Sequence, residues 1–181
     1  MGRINSRTKG SKNERNLAKL FELWSGKKFS RTPSSGGLRW KNSQTAGDIV
    51  CTTEGHLFPF SIEAKNHREI NFEHLLYLDD PKILEFWQQC VDDSQRADLK
   101  KIPILFMRYN GMPSDLHFVA LETKVWSIIV EHLPQKHRKL VYHGGNLHLT
   151  IIRSTTLFKS SYKEIRNDLK ASDLWPKRKN N

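Results

Sequence analysis

The sequence predicts an α/β fold, a mixed β-sheet flanked by helices, on three observations. Apolar residues recur at helical spacing in two segments, Leu17, Leu20, Phe21 and Trp24, then Leu84, Trp87 and Val91, and a last amphipathic stretch follows Ser161. Residues 102–109 form a nearly continuous apolar run, the mark of a strand buried on both faces. Between residues 57 and 65, Phe58, Phe60, Ile62 and Ala64 alternate onto one face. The order α-β-β-α-β-β-α then puts helices on the faces of a mixed sheet.

Taken in order, residues 1–10 are rich in Arg, Lys, Ser and Asn and read as a flexible basic arm. Ser11 starts a helix and Gly26 supplies its stop. Residues 31–37 (Arg-Thr-Pro-Ser-Ser-Gly-Gly) form a loop, and polarity continues to Thr45. Residues 47–52 and 57–65 are strands joined by a turn at Thr53-Glu54-Gly55. Phe72, Leu75 and Leu76 suggest a short helix, and a longer one covers residues 83–99 with Leu84, Trp87, Val91 and Ser94 on one side. After the buried strand, Asn110-Gly111 turns the chain into a strand over 116–121, and Thr123 caps a helix through His132. Residues 139–143 and 147–153 flank Gly144-Gly145-Asn146, a hairpin signal. Ser161-x-x-Glu164 opens the last helix, to Ala171. Residues 11–172 thus form one domain with 66–84 a candidate insertion, and 173–181 form a basic tail.

Composition bounds the function. A chain of 181 residues is long enough to bury a real core, and a mean hydropathy of −0.63 fits a soluble globular protein. No apolar run approaches the ~20 residues that span a bilayer. The basic, polar start of the chain lacks the apolar stretch of a secretory signal. Cys51 and Cys90 make neither a disulfide framework nor a CxxC zinc motif, so a cytoplasmic location is expected.

With 30 Lys and Arg against 19 Asp and Glu, the net charge of +11 makes a polyanion the expected partner, nucleic acid ahead of an anionic membrane surface. The charge is uneven. Residues 1–41 hold 11 basic residues against Glu14 and Glu22, and residues 136–181 hold 11 against 3 acids. Between them, residues 69–98 hold 8 acids against Lys82 and Arg96. Basic flanks suit phosphates; the acidic stretch has no DNA-binding logic of its own.

The chemistry lies in Asp48 and, across a short hairpin, Glu63-Ala64-Lys65. Residues two apart on a strand share a face, so Glu63 and Lys65 point together, opposite to Ile62 and Ala64. A turn near Gly55 pairs residues whose numbers sum to 111, which sets Asp48 opposite Glu63. Two carboxylates suit a hard cation such as Mg²⁺ or Mn²⁺. A lysine beside them can orient an attacking water and favour its deprotonation. This is equipment for phosphodiester hydrolysis. The bland alternative is a Glu–Lys pair on a solvated sheet face; strand placement, basic charge and the loop just upstream weigh against it.

These residues resemble the PD-(D/E)xK nuclease superfamily, and within it the Holliday junction resolvases of the archaeal and phage type and the related Gram-positive bacterial type. The matching stretches are Gly10-Ser-Lys-Asn-Glu14-Arg15, residues 31–37, Gly47-Asp48, Ile62-Glu63-Ala64-Lys65, Trp87-Gln88-Gln89 and residues 102–108. Together they span roughly residues 10–110. The resemblance implies a restriction-endonuclease-like mixed sheet and a homodimer that nicks four-way DNA junctions in a prokaryotic cell or phage-infected host. It implies that Asp48, Glu63 and the Ala64 carbonyl hold Mg²⁺ or Mn²⁺, that Lys65 serves the attacking water, and that Glu14 completes the acidic cluster. Arg15, Arg31, Arg39 and Lys41 are then DNA contacts, Ser34 and Ser35 sit on a loop that closes over DNA, and Gln88 or Gln89 faces the catalytic side.

Bland readings stand beside these. Glu14 follows Ser11 by three residues and is equally placed to close a capping box. Ser34 and Ser35 are ordinary loop residues in type, and one of the two glutamines belongs on a helix surface. His143 and His148 bracket the hairpin with a spacing that matches no common zinc pattern. The rivals to junction resolution are another nuclease on the same fold, of restriction, flap or nicking type, and a basic nucleic-acid-binding protein without catalysis.

Overall fold

A computed structural model describes residues 6–32, 47–78, 81–96, 99–134 and 136–178. The chain runs α1 (Ser6–Ser25), β1 (Phe29–Arg31), β2 (Ile49–Cys51), β3 (Phe60–His67), α2 (His74–Tyr77), α3 (Lys82–Arg96), β4 (Leu99–Lys100) and β5 (Ile102–Tyr109). It continues through β6 (Phe118–Glu122), α4 (Thr123–Val130), β7 (Leu140–Gly144), β8 (Leu147–Arg153), α5 (Ser154–Leu157), α6 (Tyr162–Ala171) and β9 (Lys177–Arg178). Seven strands form one sheet in the order β1-β2-β3-β5-β6-β8-β7. Among the described strands only β3 and β5 pair in parallel, and the chain between them carries α3 over one face, as a parallel connection requires. The mixed, helix-flanked sheet is compatible with a restriction-endonuclease-like fold.

The alternation read from β3 sorts the two faces. Phe60 and Ile62 turn toward α1, α4 and α6, where Leu17, Phe21, Ile104, Phe106, Trp126 and Ile165 complete the larger core. Phe21 anchors it, its ring meeting those of Trp24, Phe29, Phe58, Phe106 and Phe158 at centroid distances of 5.3–5.9 Å, mostly edge to face. The opposite face carries Leu105, Met107, Ala120 and Ile151 under Ile83, Trp87 and Cys90 of α3. Trp87 is therefore a core residue, as its spacing implied.

Several boundaries differ from expectation, each for a physical reason. α1 starts at Ser6, so Ser11 lies inside the helix and the capping box with Glu14 does not exist. The first turns are polar and offer no apolar period from which to read a helix. β1 falls partly in the segment read as a loop; three residues are too few to show a period. β3 begins only at Phe60, after Pro59, which lacks the N–H a ladder needs. Thr123 is the first residue of α4 rather than its cap, and its hydroxyl pairs with that of Thr150 at 3.1 Å. Ser161 does precede α6, but its side chain makes no capping bond. Lys177 and Arg178, expected in a free tail, pair with Lys100 and Leu99. No helix among the described residues is long and apolar enough to cross a membrane.

Candidate active site

The hairpin register is the one that the turn implied: Ile49 faces Ile62, numbers that sum to 111. Asp48 stands one residue before β2, held there from three sides. Its N–H donates to the Ile62 carbonyl at 2.7 Å, and its own carbonyl accepts from the Thr32 N–H at 2.8 Å. The Thr32 hydroxyl binds the Gly47 carbonyl at 2.8 Å. Gly47 has φ +89°, and a Cβ there would lie 2.5 Å from the Ile62 carbonyl oxygen, so only glycine permits this approach.

The Asp48 carboxylate accepts the Ala64 N–H through Oδ2 at 2.9 Å, which ties it to the middle of the Glu63-Ala64-Lys65 run. Glu63 is buried, 3% exposed, and its Oε1 lies 2.6 Å from Lys65 Nζ. Lys65 Nζ also donates to Gln89 Oε1 at 2.7 Å, so α3 reaches the site through Gln89. Gln88 turns away and donates to Asp92 at 2.9 Å. Both glutamines are exposed, but Gln89 alone meets the site, through Lys65.

Glu14 is engaged by Arg31 in an ion pair, close enough to Asp48 to act on its charge. Arg15 projects from the exposed side of α1 with no partner among the described residues. Ser34, Ser35, Arg39 and Lys41 lie outside the described residues. His143 and His148 face each other across the β7–β8 hairpin with their Nδ1 atoms 2.5 Å apart, several strands from this edge.

Electrostatics mark the carboxylate pair. Burial pushes the Asp48 carboxyl up; the Ala64 N–H opposes this and the Glu14 charge adds to it. Burial, and then the Asp48 charge, raise Glu63 from 4.5 to about 7 despite Lys65. Two carboxylates raised by burial and by neighbouring acids in a half-dry site hold an unmet negative charge. Sequence reasoning missed Asp93, whose carboxylate is 15% exposed, ion-paired with Arg96, and adds to the shift at both Asp48 and Glu63. The signal was available, since Asp93 follows Gln89 by one helical turn on α3. Part of the unexplained acidic stretch therefore lies over the site.

A mixed sheet that brings Asp48, just before β2, against Glu63-Ala64-Lys65 within β3 defines a nuclease of the PD-(D/E)xK superfamily. The chain belongs to the family described as phage putative PDDEXK endonuclease, whose model matches residues 5–175. No curated protein and no solved structure matches it.

Nucleases of this superfamily are generally divalent-metal dependent. Among the described residues no three His, Cys, Asp or Glu side chains are gathered closely enough to form a ready cage. The donors present are nevertheless of the right kind. Asp48 and Glu63 supply hard oxygens beside a backbone carbonyl, and their excess negative charge is what a divalent cation would relieve.

Proposed function

We propose that the chain is a Mg²⁺-dependent DNA endonuclease that resolves four-way junctions, acting as a homodimer that makes paired symmetric nicks. The observation that carries this reading is the meeting of Asp48, Glu63 and Lys65 on one strand edge of a strongly basic chain. Asp48, Glu63 and the Ala64 carbonyl hold the cation, Mn²⁺ being an acceptable substitute, and Glu14 extends the acidic cluster. The ion, when bound, stabilises charge developing on the phosphate and makes water more acidic. Lys65, steered by Glu63 and Gln89, orients the attacking water. Water oxygen bonds to phosphorus in line with the departing 3′ oxygen, which takes up a proton, leaving 5′-phosphate and 3′-hydroxyl ends. Arg15 and Arg31, with Arg39 and Lys41 of the upstream loop, contact backbone phosphates, and Ser34 and Ser35 ride on that loop.

The preference for junctions rests on the sequence resemblance over residues 10–110. The test is a labelled four-way junction beside a linear duplex of matched sequence, with and without Mg²⁺. Two symmetric nicks in the junction, little cutting of the duplex and none without the ion are expected. Equal cutting of the duplex would replace junction resolution with a restriction-type or nicking activity. DNA bound but unaltered in Mg²⁺ would overturn catalysis altogether.

A further inference from the structure

The catalytic edge uses only the β2–β3 side of the sheet, yet basic residues gather again at the far side. A cavity of about 320 Å³ opens where the segment after α4, the end of β8 and the residues around α5 converge. Lys136, Arg138, Arg153 and Lys159 line it, with His137 between the first two. Among the described residues no acidic side chain lines this cavity, and none of the four cations has a side-chain partner. Four neighbouring cations without a counter-charge repel one another, an arrangement that suits a bound polyanion.

The segment is also fixed in place. The His137 ring meets the Trp126 ring edge-on at 4.8 Å, and Lys139 Nζ sits over the same indole at 5.9 Å. Both contacts pin the segment to α4, so the cations at 136 and 138 are presented by anchored backbone.

Register relates this cavity to the catalytic edge. Lys65 pairs with Met107, Met107 with Phe118, and Phe118 with Arg153. The four residues form one row across the sheet, and Arg153 stands three strand spacings, about 14 Å, from Lys65. β8 runs in the same direction as β3, being antiparallel to β6, which is antiparallel to β5. Lys65 and Arg153 therefore stand at the same end of the sheet. A reach of about 14 Å corresponds to about four base-pair steps along a duplex.

We propose that this cavity is a second DNA-backbone site, which grips phosphates of the substrate about four base pairs from the cut. The proposal rests on the reading of the chain as a DNA nuclease and adds a contact that the catalytic edge does not contain. The site carries affinity and register rather than chemistry, since phosphate contacts position a duplex without reading its bases.

The experiment measures binding of a fluorescent duplex of about 20 base pairs by the full chain in EDTA, across a salt titration. Arg138→Ala combined with Arg153→Ala is compared with Lys163→Ala combined with Lys177→Ala, an equal charge change on exposed residues elsewhere. Loss of two phosphate contacts predicts at least tenfold weaker binding at 0.1 M salt for the cavity variant. It also predicts a slope of log K against log salt shallower by about 1.8, with little change for the control. In Mg²⁺ the cavity variant should raise KM while leaving kcat within twofold. Equal effects of the two variants, or an unchanged slope, overturn the second site even if cleavage is normal. Tight binding that depends on the cavity, with no cleavage in Mg²⁺, upholds the site while refuting the nuclease reading. Absence of DNA binding by the wild-type chain overturns both.

Discussion

The two faces of the central sheet are built from the same strands and do opposite work. Under α1, α4 and α6 the sheet meets aromatic rings and aliphatic side chains, and a fully buried histidine there, His117, is held neutral. Under α3 the apolar layer covers only part of the sheet, and at its margin Glu63 is buried as a carboxylate beside Asp48 and Lys65. β3 feeds both faces by alternation: Phe60 and Ile62 support the fold, whereas Glu63 and Lys65 carry the chemistry under the proposed function. The proposed function thus divides stability and activity between alternate residues of one strand, and substitutions can separate them.

The largest separation is expected at Glu63. Glu63→Gln keeps the shape, and its amide oxygen still accepts from Lys65, but it removes a buried negative charge. Cleavage should fall on the order of 10³-fold or more, because a neutral amide is a poor ligand for a hard cation. The melting temperature of the metal-free protein should hold or rise, because a charge that burial disfavours is gone. Gel-based cleavage rates and thermal unfolding, measured on the same preparation, decide the matter. Wild-type cleavage by the Glu63→Gln variant would displace the site, and a large drop in stability would undo the division between faces.

The opposite face supplies a prediction in pH. His117 is fully buried, and its Nε2–H donates to Asn13 Oδ1 at 2.9 Å, since a carboxamide oxygen can only accept. Burial, with Arg108 adding to it, lowers its pKa from 6.5 to about 4. The unfolded chain therefore binds more protons than the folded one between those values, so stability falls as pH falls through 6.5 and the loss is complete near 4. The loss amounts to roughly 3 kcal/mol. Urea unfolding at pH 7 and pH 4 should show it in the wild type. His117→Gln, which cannot titrate, should show a loss smaller by about that amount. Parallel losses in the two proteins would mean that His117 is not the group responsible.

The face that the proposed function uses was also the more legible in sequence. Period-2 alternation separated Ile62 and Ala64 from Glu63 and Lys65, and one turn at Gly55 fixed the register that sets Asp48 near them. Strand parity and hairpin arithmetic act over a few residues, so a single sequence suffices for them. What stayed hidden depends on long-range packing. The three residues of β1 become a strand because β2 offers an edge. The polar first turns of α1 show no period. Asp93 comes to matter only when α3 crosses onto β3 and β5. The basic cavity collects residues from three segments between 136 and 159, and no local pattern announces their convergence.

The choice between Gln88 and Gln89 was equally closed to sequence, and it yields the finest test of how α3 serves the site. Neighbouring residues on a helix point about 100° apart, so only one can face Lys65. Gln89 accepts from Lys65 Nζ at 2.7 Å, beside the 2.6 Å contact that Nζ makes with Glu63, whereas Gln88 is occupied by Asp92. Gln89→Leu removes this bond and leaves Lys65 held by Glu63 and the Phe86 ring, freer to swing from its working direction. Since Gln89 is exposed, its replacement should barely change stability. Under the proposed function, kcat should fall about tenfold, the ~1.4 kcal/mol expected for one charge-assisted hydrogen bond, with KM within twofold. Gln88→Leu should leave both constants unchanged. An equal loss in the two variants would point to a general disturbance of α3, whereas a loss confined to Gln89 would show that the helix positions the lysine.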